Sequence, residues 1–180
     1  MEKNKEYFDT NEEQDLKRLI EFNEHVHIFE HIKPTEIKHY SDATGYSADR
    51  LFNIELKQRN QVLLNNGKIS GCTQGGKGYI DDDLFIEDHK IADLLVDYIA
   101  QGLEPLYINF LENAIVIFNL SKLTVRPKKH LNLKINSKGY RTMEFGNRQG
   151  LYIIDAAIYD LNYNLIKRCG EEWEQMQISS

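Results

Sequence analysis

Between Leu51 and Gln58 the side chains Phe52, Ile54 and Leu56 alternate with Asn53, Glu55 and Lys57, the period-2 pattern of a strand with one apolar face buried. Upstream, His39–Thr44 tolerates an extended backbone, and Gly45, Ser47 and Asp49 supply turn chemistry. These runs predict a hairpin, and its register constrains the chain more than any other feature. With the turn centred between Ala48 and Asp49, Asp42 falls opposite Glu55, where Cβ atoms of an antiparallel pair lie roughly 4.5–5.5 Å apart. Glu55 and Lys57 share a face, so two carboxylates and an ammonium converge. Asp49, in the turn itself, is the weaker substitute for Asp42.

Oxygen ligands of this kind suit a hard cation such as Mg²⁺, which takes its remaining ligands from water and phosphate. A cation so held lowers the pKa of bound water, and a neighbouring lysine can orient the nucleophile or stabilise a phosphoryl transition state. Asp42, twelve intervening residues and then Glu55-Leu56-Lys57 resemble the signature of the PD-(D/E)XK nuclease superfamily, which includes restriction endonuclease-like and Holliday junction resolvase-like proteins of phage and mobile elements. The proline of that signature is absent here; it carries no chemistry in the reaction.

The resemblance implies an α/β fold with a restriction endonuclease-like core, in the order helix, three strands, helix, strand. It implies Mg²⁺ or Mn²⁺ on Asp42 and Glu55, with Asp42, Glu55 and Lys57 as the catalytic trio. It also implies an accessory acid on the first helix, for which Glu21 and Glu24 are the candidates, and a lysine at the start of the second helix, Lys90. Gln58 is a further accessory candidate. Each glutamate also reads as an exposed residue of an amphipathic helix, and Lys90 as a surface partner of Glu87.

Along the chain, Leu16, Leu19, Ile20, Asn23 and Val26 predict a first helix over about 11–29, shortened if Val26–Ile32 is already a strand. Pro34 closes this segment. Residues 65–78, rich in Gly and Asn, predict a loop that closes on substrate, with Lys68 and Lys77 as phosphate contacts. Their Gly-x-x-x-x-Gly-Lys lacks the following Ser or Thr of a P-loop. A second helix is predicted over Leu84–Gln101, with Ile91, Leu94, Leu95, Tyr98 and Ile99 as its apolar stripe, an acid among Asp81–Asp83 as cap and Gly102 as stop. Leu106–Phe110 and Ala114–Phe118 predict strands, which completes a core over about 11–120. A β-rich extension follows over about 121–170, with strands at His130–Ile135, Arg141–Phe145 and Leu151–Ile154 and a turn at 136–139. Residues 171–180, with Trp173, read as a tail.

The 180 residues suit one domain with a sizeable core. No stretch approaches the roughly 20 apolar residues of a membrane span, and the N-terminus lacks a signal-peptide apolar run, so a cytoplasmic protein is expected. Cys72 and Cys169 have no C-x-x-C partner, and the spacing of His25, His27, His31 and His39 does not suit a zinc site. The net charge of -6 divides unevenly: seven acids face one lysine over Asp81–Asp97, while eight Lys or Arg face one acid over Lys122–Arg148. Local patches govern phosphate contact, and Arg59, Lys128, Lys129 and Arg141 join the two loop lysines as candidate nucleic-acid contacts.

Three readings stand. The first is a metal-dependent nuclease acting on nucleic acid, DNA foremost, with a homodimer admitted. The second is a nuclease-fold module that binds nucleic acid or protein without cleaving. The third is a structural protein of a mobile element with a coincidental E-x-K. Retention of all three central residues favours the first.

Overall fold

A computed structural model describes residues 2–36, 41–72, 76, 78–123, 126–135 and 141–169, with the side chains of 2–12 and 126–147 outside that description. The first helix, α1 (Glu2–Val26), begins earlier than its apolar pattern predicts. It buries Leu19 and Phe22 completely. His27 ends it at φ 55°, and Asn23 clamps the exit by accepting the Phe29 N–H at 2.7 Å and donating to the Phe29 carbonyl at 2.8 Å. The chain then enters β1 (His31–Pro34), so Pro34 is a strand residue at the point where the helical segment was expected to close.

Strands β2 (Ala43–Ser47) and β3 (Arg50–Gln58) form the predicted hairpin, with Ala43 opposite Ile54 and Ser47 opposite Arg50. Residues 37–40 lie outside the described residues, and β2 runs further toward the turn than His39–Thr44. Gly45 belongs to β2 rather than to the turn. A Cβ there would lie 2.6 Å from the Phe29 ring, so glycine is what allows Phe29 to close against the sheet.

The predicted loop is structured on both sides. β4 (Gln61–Leu63), β5 (Ile69–Cys72) and β6 (Gly78–Asp81) make a small antiparallel sheet, with residues 73–75 and Lys77 outside the described set. β7 (Asp83–Glu87) occupies what was expected to be the first turn of the second helix. Leu84 and Ile86 are two apart, the strand period rather than the helical one, and both are fully buried. The helix α2 therefore spans only Asp88–Gln101. Its N-cap is Glu87 without a side-chain capping bond, not one of Asp81–Asp83. Gly102 stops it in the left-handed conformation at φ 73°, as the sequence predicts. Of the expected stripe, Ile91 and Leu94 are buried, but Tyr98 and Ile99 are 39% and 83% exposed.

Next come β8 (Glu104–Phe110), β9 (Ile115–Asn119), a 3₁₀ turn at Leu120–Lys122, and the long strands β10 (Arg126–Ile135) and β11 (Arg141–Tyr152). Leu151 and Tyr152 end β11 rather than start a new strand, and Ile153–Asp155 is a 3₁₀ turn. β12 (Ala157–Tyr159) and β13 (Leu165–Lys167) complete the described chain. The expected turn at 136–139 and the tail at 171–180 lie outside the described residues.

The main sheet has the order β1-β2-β3-β8-β9-β12-β13, and every neighbouring pair is antiparallel except β3 and β8. Parallel neighbours need a crossover, and α2 lies in the one that joins them. A further sheet, β10-β11-β7, adds the β-rich part. Alternate residues of β8 enter different cores: Leu106, Ile108 and Phe110 pack in the cluster with Leu19 and Phe22 of α1, whereas Tyr107 packs with Ile91 and Leu94 of α2. The two helices thus cover opposite faces of a mixed sheet, an α/β arrangement. Among the described residues no helix is long and apolar enough to cross a membrane.

Candidate functional site

The β2–β3 ladder ends with Ala43 opposite Ile54, and Asp42 follows one residue out of that register, on the Ile54 carbonyl rather than paired directly with Glu55 as expected. The Asp42 N–H donates to the Ile54 carbonyl at 2.9 Å, and Asp42 Oδ2 accepts the Leu56 N–H at 2.6 Å. Where the backbone ladder ends, the carboxylate takes over the strand's next donor, which fixes its position.

Glu55 points to the α2 side of β3 and is 2% exposed. The Lys90 ammonium, from the first turns of α2, pairs with Glu55 Oε1. Glu55 Oε2 is buried with no hydrogen-bond partner. Burial, and then the Asp42 charge, push the Glu55 carboxyl up to about 7, against the opposing pull of Lys90 and Lys57. Burial works against the Lys90 charge, yet Glu55, Asp42 and Glu87 hold its pKa above the usual lysine value. Lys57 is half-buried, across from Asn109 in the parallel β3-β8 pair.

These groups line a cleft of about 660 Å³ that also takes in Asp15, Gln58 and Arg59. Asp15 is the α1 acid that reaches it. Burial raises its carboxyl, Arg18 opposes the shift and Asp42 adds to it, while the Gln58 N–H donates to the carboxylate. Glu21 and Glu24 do not line the cleft. Glu21 instead accepts a hydrogen bond from the Tyr163 hydroxyl, and Glu24 is exposed. Both sit further along α1, past the point where it crosses the end of β3. The position of Asp15 beside Leu16 and Leu19 on the buried side of the helix is the signal that distinguishes it.

Of the other predicted contacts, Gln58 is at the cleft rim, where it accepts from Arg18 Nη1. Arg59 is in the cleft wall and only 7% exposed. Lys68 is exposed beside the Asn65–Gly67 turn and does not line the cleft. Lys77 and the side chains of Lys128, Lys129 and Arg141 lie outside the described residues. Asp49 stays in the hairpin turn and does not line the cleft.

Two more charged groups stand near the site: Glu87, read from the sequence only as a surface partner of Lys90, and Arg148, which was not singled out. Glu87 ends β7 and caps α2; burial opposes its ionisation, but its own N–H, Lys57, Lys90 and Arg148 together hold its pKa below the usual carboxylate range. Arg148, across from Glu87 in the β7-β11 pair, lies over the Phe85 ring at 4.2 Å. A separate acidic group, Asp81–Asp83, brings carboxylate oxygens within 4.8 Å of one another at the β6-β7 junction, away from the cleft lining.

Asp42 and Glu55 offer only carboxylate oxygens, the ligand type of a hard divalent cation, and Glu55 Oε2 is buried without a partner. Asp15 lines the same cleft but does not close with them to ligand distance; among the described residues the acids that do so as a group of three are Asp81–Asp83. Compared with models of known protein families and with curated proteins, the sequence matches none.

Proposed function

We propose that the protein is a divalent-metal-dependent nuclease that hydrolyses phosphodiester bonds of nucleic acid, DNA foremost. The observation that carries this reading is the convergence of Asp42, Glu55 and Lys57 in one cleft, with Glu55 Oε2 buried and unpartnered. The mixed sheet supports it. A helix, three strands, a crossover helix and a strand parallel to the third follow the order of the restriction endonuclease-like core, with β4–β7 as an insertion.

Asp42 and Glu55 would hold Mg²⁺ or Mn²⁺, which when bound supplies a water of lowered pKa and neutralises phosphate charge. The chain's own groups do the rest. The Leu56 N–H fixes Asp42, the Lys90 ammonium balances Glu55, and Lys57 positions the attacking water and stabilises charge that grows in the transition state.

Single-turnover cleavage of labelled DNA and RNA substrates with Mg²⁺ or Mn²⁺, beside calorimetric Mn²⁺ binding, tests the proposal. Lys57→Ala should lower cleavage by on the order of 100-fold while leaving Mn²⁺ affinity near wild type, because the loss is felt mainly in the transition state. Asp42→Ala and Glu55→Ala should lose both together. A wild type that binds metal and nucleic acid but cleaves nothing would make the protein a binding module instead.

A further inference from the structure

On the nuclease reading above, we propose that Arg59 forms a second, metal-independent phosphate site that grips the phosphate next to the scissile one. The substrate is then a polynucleotide strand rather than an isolated phosphodiester.

Arg59 directly continues the polar face of β3. Arg59 is only 7% exposed, yet all its acceptors are neutral. Nε donates to Asn109 Oδ1 at 3.0 Å, and Nη2 donates to the Tyr107 hydroxyl at 2.6 Å and to the Phe85 carbonyl. The Phe85 ring lies 4.4 Å from it. Among the described residues no carboxylate pairs with Arg59; the ion pairs there are Arg50–Glu104 and Lys90–Glu55. Burying a cation without a counter-ion is costly, and the second guanidinium on Phe85, that of Arg148, adds repulsion.

The cleft is therefore short of a cation at one end and of an anion at the other. At Glu55 a buried carboxylate oxygen has no partner; at Arg59 a buried guanidinium has no anion. A phosphate strand crossing a bound cation supplies the anion. Four residues of extended strand separate Glu55 from Arg59 by about 13 Å, with Lys57 midway. If the scissile phosphate lies between the carboxylates and Lys57, the phosphate that reaches Arg59 is the neighbouring one. Three neutral acceptors and a ring hold the guanidinium rigid and occupy Nε and Nη2, which leaves the two Nη1 N–H groups as fixed donors for a phosphate oxygen.

The experiment is a cycle between Arg59→Met and a methylphosphonate, which removes one phosphate charge, placed on either side of the scissile bond of a short strand. In wild type, the methylphosphonate on one side should slow single-turnover cleavage by about 10- to 100-fold, the range for a hydrogen-bonded charge. In Arg59→Met the same replacement should have little further effect, and Mn²⁺ affinity should be unchanged. Arg59→Lys should recover only part of the loss, since it keeps the charge and loses the bonds that hold the donor in place. Effects that simply multiply, or an Arg59→Met enzyme as fast as wild type, overturn the Arg59 site and leave the nuclease reading standing. A second measurement needs neither cleavage nor a variant: the Arg59 side-chain nitrogen resonances of metal-free wild type should shift saturably with trithymidylate and not with thymidine. That shift without any cleavage would sink the nuclease reading but keep the site, and no shift sinks the site.

Discussion

On one side of β3, Phe52, Ile54 and Leu56 meet Leu19 and Phe22 of α1; on the other, Asn53, Glu55 and Arg59 lie beneath α2 and β7. Burial is nearly equal: 7%, 0% and 5% exposed on the first side against 1%, 2% and 7% on the second. The apolar side is stabilised by contact alone, since nothing there needs a partner. The polar side must satisfy each group it buries. Asn53 donates to Asp97 of α2 at 2.8 Å, Lys90 balances Glu55, and Arg59 finds Asn109, Tyr107 and Phe85. Two atoms on this side stay unpartnered, Glu55 Oε2 and Asn109 Nδ2. One side of β3 is organised for stability, and the other holds charge out of water where a ligand can use it.

The largest effect expected from this contrast is on the apolar side. Phe22 is fully buried and meets the Tyr159 ring edge-on at 5.0 Å, joining α1 to β12. Phe22→Ala should lower unfolding free energy by about 3–5 kcal/mol in denaturant titrations. The fraction still folded should bind Mn²⁺ as wild type does. A loss below about 1 kcal/mol would mean that α1 does not seal this core.

A smaller effect, of opposite sign, is expected from Glu55→Gln. The Glu55 carboxyl stands at about 7 in the folded protein against 4.5 for the free group, so the folded state holds the proton more tightly. Its stabilising contribution is fully present below about pH 4.5 and is lost as pH rises through 7. Without divalent ions, wild type should therefore lose on the order of 3 kcal/mol relative to Glu55→Gln between those limits. If Asp42 and Glu55 hold the proposed cation, Mn²⁺ should restore wild-type stability more at pH 8 than at pH 5, because ligand carboxylates must be deprotonated. A pH-independent difference between the two metal-free proteins would show that this side of β3 is no less comfortable with charge than a solvated surface.

The sequence made the hairpin legible because register follows from arithmetic about the turn: once Ala48 and Asp49 are central, Ser47 faces Arg50 and Ala43 faces Ile54, though the arithmetic stops there and Asp42 leaves the register. Gly102 was legible for a similar local reason, as the stop of α2. What could not be read locally was which elements cover the polar face. Alternation in β3 suggested one buried side, and only the descent of α2 and β7 makes the second. Asp15 lies on the Leu16–Leu19 side of α1, which the spacing marks, but that this side meets the cleft follows from how α1 packs on the sheet. Residues 65–78 read as a loop from their glycines, yet Gly71 lies in β5 for a tertiary reason: a Cβ there would lie 2.7 Å from the Tyr79 hydroxyl.

The smallest expected effect tests how α2 is held over the polar face. Its sequence offers a broad apolar stripe, but Ile91 and Leu94 alone are buried within it, while Ile99 is 83% exposed and Val96 is 61% exposed. The helix is thus fastened by a narrow apolar seam together with the Asn53–Asp97 and Lys90–Glu55 links, which reach it from β3 itself. Removing an apolar side chain from its outer surface should matter little. Ile99→Gln should change stability by no more than about 0.5 kcal/mol, whereas Leu94→Ala should cost about 2–5 kcal/mol. Cleavage by Ile99→Gln should equal wild type, since nothing on that surface touches the cleft. If Ile99→Gln instead destabilises by more than about 1 kcal/mol, the outer surface of α2 is covered in solution, and the polar face of β3 lies one layer deeper than the chain alone provides.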